Sequence, residues 1–327
     1  MTHARIVSWG KYLPRRVLTN AELEKMVDTS DGWIVSRTGI RERRIAGDDE
    51  TTSTMAIEAG RAAISSAGIS PDTIDMVILA TNSPDGFMPA SAAYVQQALG
   101  AGNAAAFDMM AGCSGSLYAL ITAYHYIAGG AYRNVLVVGS EAQSRIIDWG
   151  DRSTCVLFGD GAGAVVVQAS DSGSDMMSFV MGNDGSGTGN LFVPGPCGRP
   201  GTGGKNGHYY LQMEGREVFK FAVRTLASCT QQVLDRAGLD ISDIGLLIPH
   251  QANIRINEAA TKLMGIPSEK VFVNLDRYGN MSAASPMVAL CEAVEQGRVK
   301  SGDYVVLVAF GAGLSWAAML LRWQSAN

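Results

Sequence analysis

Charge, histidine and cysteine are all scarce in this chain, and each scarcity closes off a class of function. Only 17% of the 327 residues are charged, for a net charge of −5, so no basic field exists to hold a nucleic acid. The five cysteines, at 113, 155, 197, 229 and 291, are odd in number, widely spaced and free of any C-x-x-C pair. That pattern indicates neither a disulfide framework nor a zinc site, and the thiols are expected to be reduced. The four histidines, at 3, 125, 208 and 250, cluster with none of them, so no metal is expected. There is no apolar run of the roughly 18 residues that a membrane span needs. The N-terminal stretch Met-Thr-His-Ala-Arg-Ile-Val-Ser-Trp-Gly lacks the apolar core of a secretion signal and reads as the start of a strand. A cytoplasmic location is expected.

What is abundant is apolar and small. Hydrophobic residues make up 47% of the chain and glycines number 38, enough for one large core built with close backbone approaches. Amphipathic helical patterns alternate with short, wholly apolar strands, the pattern of layered α/β architecture with strands buried on both faces.

An internal repeat organises these elements. Ala67-Gly-Ile-Ser-Pro-Asp-Thr-Ile-Asp-Met-Val-Ile-Leu-Ala80 aligns without a gap on Ala237-Gly-Leu-Asp-Ile-Ser-Asp-Ile-Gly-Leu-Leu-Ile-Pro-His250, and the same offset sets Val135–Val138 on Val305–Val308. Between these anchors the offset shortens and sets Gly112-Cys113 against Gly279-Asn280. Two related halves, 1–170 and 171–327, are expected, each contributing a comparable turn, and a five-layered αβαβα arrangement follows if their sheets stack. Residues 182–207 hold ten glycines and are read as a hairpin and surface loop near the site, or as a plain glycine-rich connection.

Three residues carry the chemistry. Cys113 lies among Ala111, Gly112, Ser114 and Gly115 and precedes a helical pattern of Leu117, Leu120, Ile121, Tyr124 and Ile127. A helix start favours thiolate over thiol, although a lone cysteine is more often a small buried hydrophobe. His250 ends the apolar run Leu246-Leu-Ile-Pro-His, where α/β enzymes place working groups. Asn280 follows Tyr278-Gly279, and a helix N-cap is the simpler account of it. Its alignment with Cys113 argues instead for a second group converging on the same point. Cys, His and Asn together suggest acyl-thioester chemistry.

With these segments in hand, the chain closely resembles the β-ketoacyl-acyl carrier protein synthase III family of thiolase-like condensing enzymes. The resemblance spans nearly the whole length and includes Trp33-Ile-Val-Ser-Arg-Thr-Gly-Ile40, the Cys113 turn, Asp151-Arg152, Phe158-Gly-Asp-Gly-Ala-Gly163, His250-Gln-Ala-Asn253, Tyr278-Gly-Asn280 and Phe310-Gly-Ala-Gly313. It implies a thiolase-like fold, a homodimer and a ping-pong reaction. Cys113 takes an acyl group from acyl-CoA, then malonyl-acyl carrier protein binds, loses carbon dioxide and condenses to begin fatty acid synthesis. His250 and Asn280 would hold the enolate, and the backbone N–H groups of Cys113 and Ala312 the second oxyanion. No cofactor is implied beyond the CoA thioester substrate.

The resemblance also assigns Thr29, Trp33, Arg37, Arg152 and Asn253 to the CoA region, with Trp33 and Arg152 sandwiching the adenine. It gives Lys220, Arg255 and Lys262 to docking of the acidic carrier protein, where a solvated helix face is the alternative. Met88 and Gln143 fall at the acyl pocket, Met88 in that of the partner subunit. Departures from the family pattern are Gly112 and Ser114 where alanines are common, Met281 where threonine is frequent, and Gln143 where an apolar residue is usual. Rival readings are a condensing enzyme of secondary metabolism using a CoA-bound extender, a Cys–His thioester hydrolase, and a non-catalytic acyl-binding scaffold. A thiolase would need a second cysteine near Phe310-Gly-Ala-Gly313, which has none.

Overall fold

The computed structural model describes residues 3–171, 173–195 and 209–324. Two mixed sheets form the frame. The first runs in the order His3–Tyr12, Asp160–Ser170, Asn134–Ala142, Met76–Ala80, Ala105–Met109, and the second Met176–Asn183, Ser315–Arg322, Tyr304–Gly311, Ile244–Pro249. In both, the central parallel pair is flanked by antiparallel strands on one side. The fifth strand of the first sheet is matched in the second by a single parallel bridge, Leu247 to Val271.

The repeat read from the sequence extends to the hydrogen-bond register. Met76 pairs with Val135 and Ala80 with Gly139 in one sheet, while Leu246 pairs with Val305 and Pro249 with Val308 in the other. Faces are kept as well. Val137 and Leu307 point to the core between the sheets, Leu136 to the outer side of the first sheet and Val306 to that of the second. Because side chains alternate with period two, a one-residue slip would turn every such row to the wrong face. Each fully buried aliphatic side chain contributes roughly 1.5–3 kcal/mol, so the register is strongly specified.

Helices complete five layers. Gly115–Ala128 and Ala284–Glu295 lie between the sheets, Thr52–Ala67 and Ser91–Leu99 cover the first, and Gly215–Ala237 with Ile254–Met264 covers the second. This is the expected thiolase-like αβαβα architecture. Glycines set the depth at which the central helices sit. A Cβ at Gly139 would stand 2.5 Å from the Ala283 carbonyl oxygen, and one at Gly163 2.7 Å from the Val288 nitrogen. The Phe158–Gly163 motif is thus a seat for the turn that carries Asn280.

The glycine-rich stretch forms a short antiparallel pairing of Leu191–Phe192 with Gln212–Met213. Cys197, His208 and the rest of 196–208 lie outside the described residues. Among the described residues, no helix is long and apolar enough to cross a membrane.

Candidate active site

Cys113, His250 and Asn280 come from three separate elements and line one cavity of about 1040 Å³. The elements meet because two pairs of turns touch backbone to backbone. A Cβ on Gly311 would lie 2.2 Å from the Cys113 nitrogen, and one on Gly112 2.5 Å from the Ala312 nitrogen. Only glycine fits at both, and the main chains of Cys113 and Ala312 lie side by side. Gly112 and Gly279 both adopt positive φ, 57° and 65°, so the aligned turns share a conformation as well as a sequence. Two hydroxyls staple the approach. Ser315 Oγ lies 2.9 Å from both the Ala111 and the Ala312 carbonyl oxygens, either of which can take its one proton, and 2.8 Å from Ser114 Oγ, to which it can donate or from which it can accept.

Asn280 is fixed on both sides of its backbone, its N–H donating to Leu157 O at 2.8 Å and its carbonyl accepting from Gly159 N at 3.0 Å. It is not a helix cap, since the helix that follows begins at Ala284 with Ala283 as its cap. Its side-chain Oδ1 accepts from Ser282 N at 2.8 Å, which leaves the NH2 as the group available to a ligand.

His250 is fully buried and its backbone N–H donates to Val308 O at 2.8 Å. Gln251 holds the turn behind it, donating to Pro249 O and accepting from Asn274 N. The imidazole packs at 72° against the Phe310 ring, and neither of its nitrogens has a protein partner. Burial pushes its pKa down to about 3, so it is neutral, with one nitrogen a donor and the other an acceptor. His125, by contrast, bonds Ile121 O and packs edge-on against Phe179 in the central helix.

At Cys113 the helix start, which favours the thiolate, is opposed by burial. The helix begins at Gly115 as read, but burial pushes the thiol up to about 12; the Ser282 hydroxyl acts in the opposite direction and the Glu141 carboxylate raises it further. Removing the sulfur from water outweighs the favourable helix end. Because only the thiolate is alkylated, iodoacetamide labelling of Cys113 is expected to rise roughly tenfold per pH unit from pH 7 to 10 without levelling. Levelling near neutrality, followed by mass spectrometry of the labelled peptide, would show a thiolate at rest.

A buried network missed in the sequence lies behind the nucleophilic turn. Glu141, fully buried, accepts from Thr81 Oγ1, Asn82 N and Nδ2, Ser83 Oγ and Ala283 N, and Asn82 Nδ2 also reaches Ser282 Oγ at 3.0 Å. It joins the two halves across the site through residues about sixty positions apart in one half, and no local pattern signals it.

Residues 107–185 match the family model 3-oxoacyl-[acyl-carrier-protein (ACP)] synthase III, and residues 234–323 match the model of its C-terminal part. The chain is 52% identical over 325 residues to the beta-ketoacyl-[acyl-carrier-protein] synthase III of Caldanaerobacter subterraneus subsp. tengcongensis, with 98% of each chain covered. It superposes on the crystal structure of 3-oxoacyl-[acyl-carrier-protein] synthase III from Aquifex aeolicus with a TM-score of 0.92 and 48% identity, over 99% of this chain and 100% of that one. The chain belongs to the β-ketoacyl-[acyl-carrier-protein] synthase III family. It is an acyltransferase that performs the condensation initiating fatty acid synthesis. The priming β-ketosynthase of the R1128 polyketide pathway superposes equally well, with a TM-score of 0.92 at 37% identity over 99% of this chain and 97% of that one.

The other residues that the family pattern singles out fall in three places. Trp33 and Arg37 lie on a helix capped by Ser30 and line the outer part of the cavity, while Thr29 just precedes it with its hydroxyl buried and unpartnered. Arg152 lies directly over the Trp33 ring at 5.0 Å and donates to Asp28 O at 2.8 Å. A ring sandwiched between them needs two stacking gaps, about 7 Å in all, so the guanidinium must move outward to admit one. Asn253 lines the cavity and caps the helix Ile254–Met264 through Oδ1 to Arg255 N at 2.9 Å. Arg255 and Lys262 are exposed on that helix and Lys220 on its neighbour, where it is paired with Glu217 at 2.7 Å. Met88 is 86% exposed and Gln143 2%; only Gln143 of the two lines the cavity.

Proposed function

We propose that Cys113 is the acyl carrier of the reaction and that His250 and Asn280 serve its second half. The carrying observation is that His250, neutral and fully buried, lines the cavity that holds Cys113 and has both ring nitrogens unpartnered. A buried imidazole without partners is costly unless a ligand supplies them. In the first half, Cys113 sulfur attacks the thioester of an acyl-CoA primer; the acyl–sulfur bond to CoA breaks, and the Cys113 proton ends on the CoA thiol. In the second, malonyl-acyl carrier protein loses its carboxylate as carbon dioxide, and the electron pair moves onto the thioester oxygen as an enolate. His250 N–H and the Asn280 NH2 hold that oxygen. The enolate carbon attacks acyl-Cys113, whose oxyanion is held by the N–H groups of Cys113 and Ala312. Collapse expels the Cys113 thiolate, which takes one proton from solvent.

CoA would enter past Trp33 and Arg37, its adenine between Trp33 and the displaced Arg152, with Thr29 and Asn253 along its path. Lys220, Arg255 and Lys262 would meet the acidic carrier protein outside the same mouth. The halves 1–170 and 171–327 would then each supply one side of the site, in a cytoplasmic enzyme with reduced thiols. Incubating the protein with mixed acyl-CoAs, mapping the acylated peptide, and then adding malonyl-acyl carrier protein to measure carbon dioxide and product tests both halves. Label on a different cysteine would displace Cys113.

A homodimer is part of this reading. Phe87, Met88 and Met110 expose 83%, 86% and 69% of their surface, large apolar side chains of the kind that mark an interaction site when they are grouped. Met88 would close the acyl pocket of the second subunit. Light scattering should give twice the chain mass. Met88→Ala is expected to admit acyl groups longer by one or two carbons and Met88→Phe to exclude them, since each buried methylene is worth about 0.8 kcal/mol. An unchanged chain-length profile in both variants would remove Met88 from the pocket wall.

A further inference from the structure

Building on the reading of Cys113 as acyl carrier, we propose that the acyl pocket is made for a primer that carries an oxygen in its acyl chain, recognised by Gln143. Among the described residues lining the cavity, two side chains hold buried polar atoms without a partner. One is His250, whose nitrogens the reaction uses. The other is Gln143, whose Nε2 donates to nothing, although the residue is 2% exposed.

The backbone that carries this amide is held in place. Gln143 opens a 3-10 turn at the end of the strand Asn134–Ala142, and its neighbours are tied down. Ser144 donates from N to Asp160 Oδ1 at 2.9 Å and from Oγ to Asp160 Oδ2 at 2.5 Å. Arg145 Nη2 donates to the carbonyls of Gly47 and Glu50. Leu211 N donates to Ile146 O at 2.8 Å. The cavity that Gln143 lines also carries Ile146, Leu191, Phe192 and Leu211 among its apolar walls and Asn82, Ser153 and Thr188 among its polar ones.

The Nε2 donor is already shielded from water by the protein itself, so a hydrocarbon tail leaves it in that unfavourable unpaired state. An acyl group of similar volume with a hydroxyl or oxo oxygen accepts that hydrogen bond and meets no such penalty. A site built to bond a polar group discriminates against the analogue lacking it more sharply than an apolar pocket rejects a methylene. Specificity at this position therefore lies in the oxygen rather than in chain length alone.

Paired acyl-CoAs offered at equal concentration test this: pentanoyl against 4-oxopentanoyl, and butyryl against 3-hydroxybutyryl. Early acylation of Cys113 is followed by intact-mass spectrometry of the wild type and of Gln143→Met, a substitution that nearly keeps the volume. In the wild type the oxygenated member of at least one pair is expected to load about tenfold faster. In Gln143→Met that ratio should fall to about one or below, because alkanoyl loading rises as oxygenated loading falls. Equal or faster alkanoyl loading in both wild-type pairs, or the same ratio in the variant, overturns the proposal alone. Absence of any label on Cys113 overturns it together with the reading it rests on.

Discussion

Cys113→Ala is expected to abolish acyl loading and to lower condensation by on the order of 10⁴-fold or more, the scale for removing a nucleophile that acts as part of a unit. The described alternatives are poorly placed to substitute. Cys155, Cys229 and Cys291 are buried and none of them lines the cavity. Cys291 in addition donates to Gly10 O at 3.3 Å. The substitution removes one sulfur from a turn whose shape is set by Gly112, Gly311 and the Ser114–Ser315 pair, so the fold should be kept. Because His250 and Asn280 are untouched, carbon dioxide release from malonyl-acyl carrier protein should persist within about tenfold of the wild type. Intact-mass spectrometry with radiolabelled acyl-CoA checks the first part and trapped carbon dioxide the second. Persistent label in the variant, mapped to another cysteine, would sink the assignment.

The parts of this site that follow from local rules were legible in the sequence. The helix after Cys113 begins at Gly115, two residues from the thiol, and His250 stands at the end of a buried strand, both as patterned. The pairing of Cys113 with Asn280 came from a gapped repeat, and it is mirrored by equal registers in the two sheets and by a positive φ at the glycine before each residue. The glycines of Phe158–Gly163 and Phe310–Gly313 stood out as motifs. Their reason is tertiary: they are where one backbone meets another, and no single segment contains both partners.

What escaped the sequence depends on such meetings. Ser315 reaches the Ala111 carbonyl from over two hundred residues away, and Glu141 collects donors from Thr81–Ser83 and Ala283. The burial of Cys113 was not legible, because a helix end can be seen in a sequence and the depth of a cavity cannot. Burial dominates that thiol. The family resemblance assigns Arg152 and Trp33 to either side of the CoA adenine; if it binds there, their direct contact at 5.0 Å would make opening a part of binding. That motion should appear as slower binding of CoA than of pantetheine thioesters lacking the adenine.

His250→Ala and Asn280→Ala are each expected to lower carbon dioxide release from malonyl-acyl carrier protein by on the order of a hundredfold or more, the effect of removing one oxyanion donor. The enolate oxygen needs donors that do not hand their proton to the adjacent carbon. An imidazole pushed down to about 3 by burial is neutral across the working range, and a carboxamide does not ionise, so both donate without acting as acids. On the proposed mechanism, acyl transfer from CoA to Cys113 would use the backbone N–H groups instead and should fall less, within about tenfold. Neutrality also fixes the pH behaviour. A histidine titrating near its usual 6.5 would give decarboxylation an acid limb through that value, whereas His250 should leave the rate level from pH 8 down to about 5. His250→Gln retains an uncharged donor and should recover part of the loss, which separates hydrogen bonding from mere filling of space. The two half-reactions are measured on the same preparations, with labelled acyl-CoA for one and released carbon dioxide for the other. Equal loss of both in the two alanine variants, or an acid limb near 6.5 that His250→Gln removes, would mean that the imidazole works as a base for the thiol and not as a donor to the enolate.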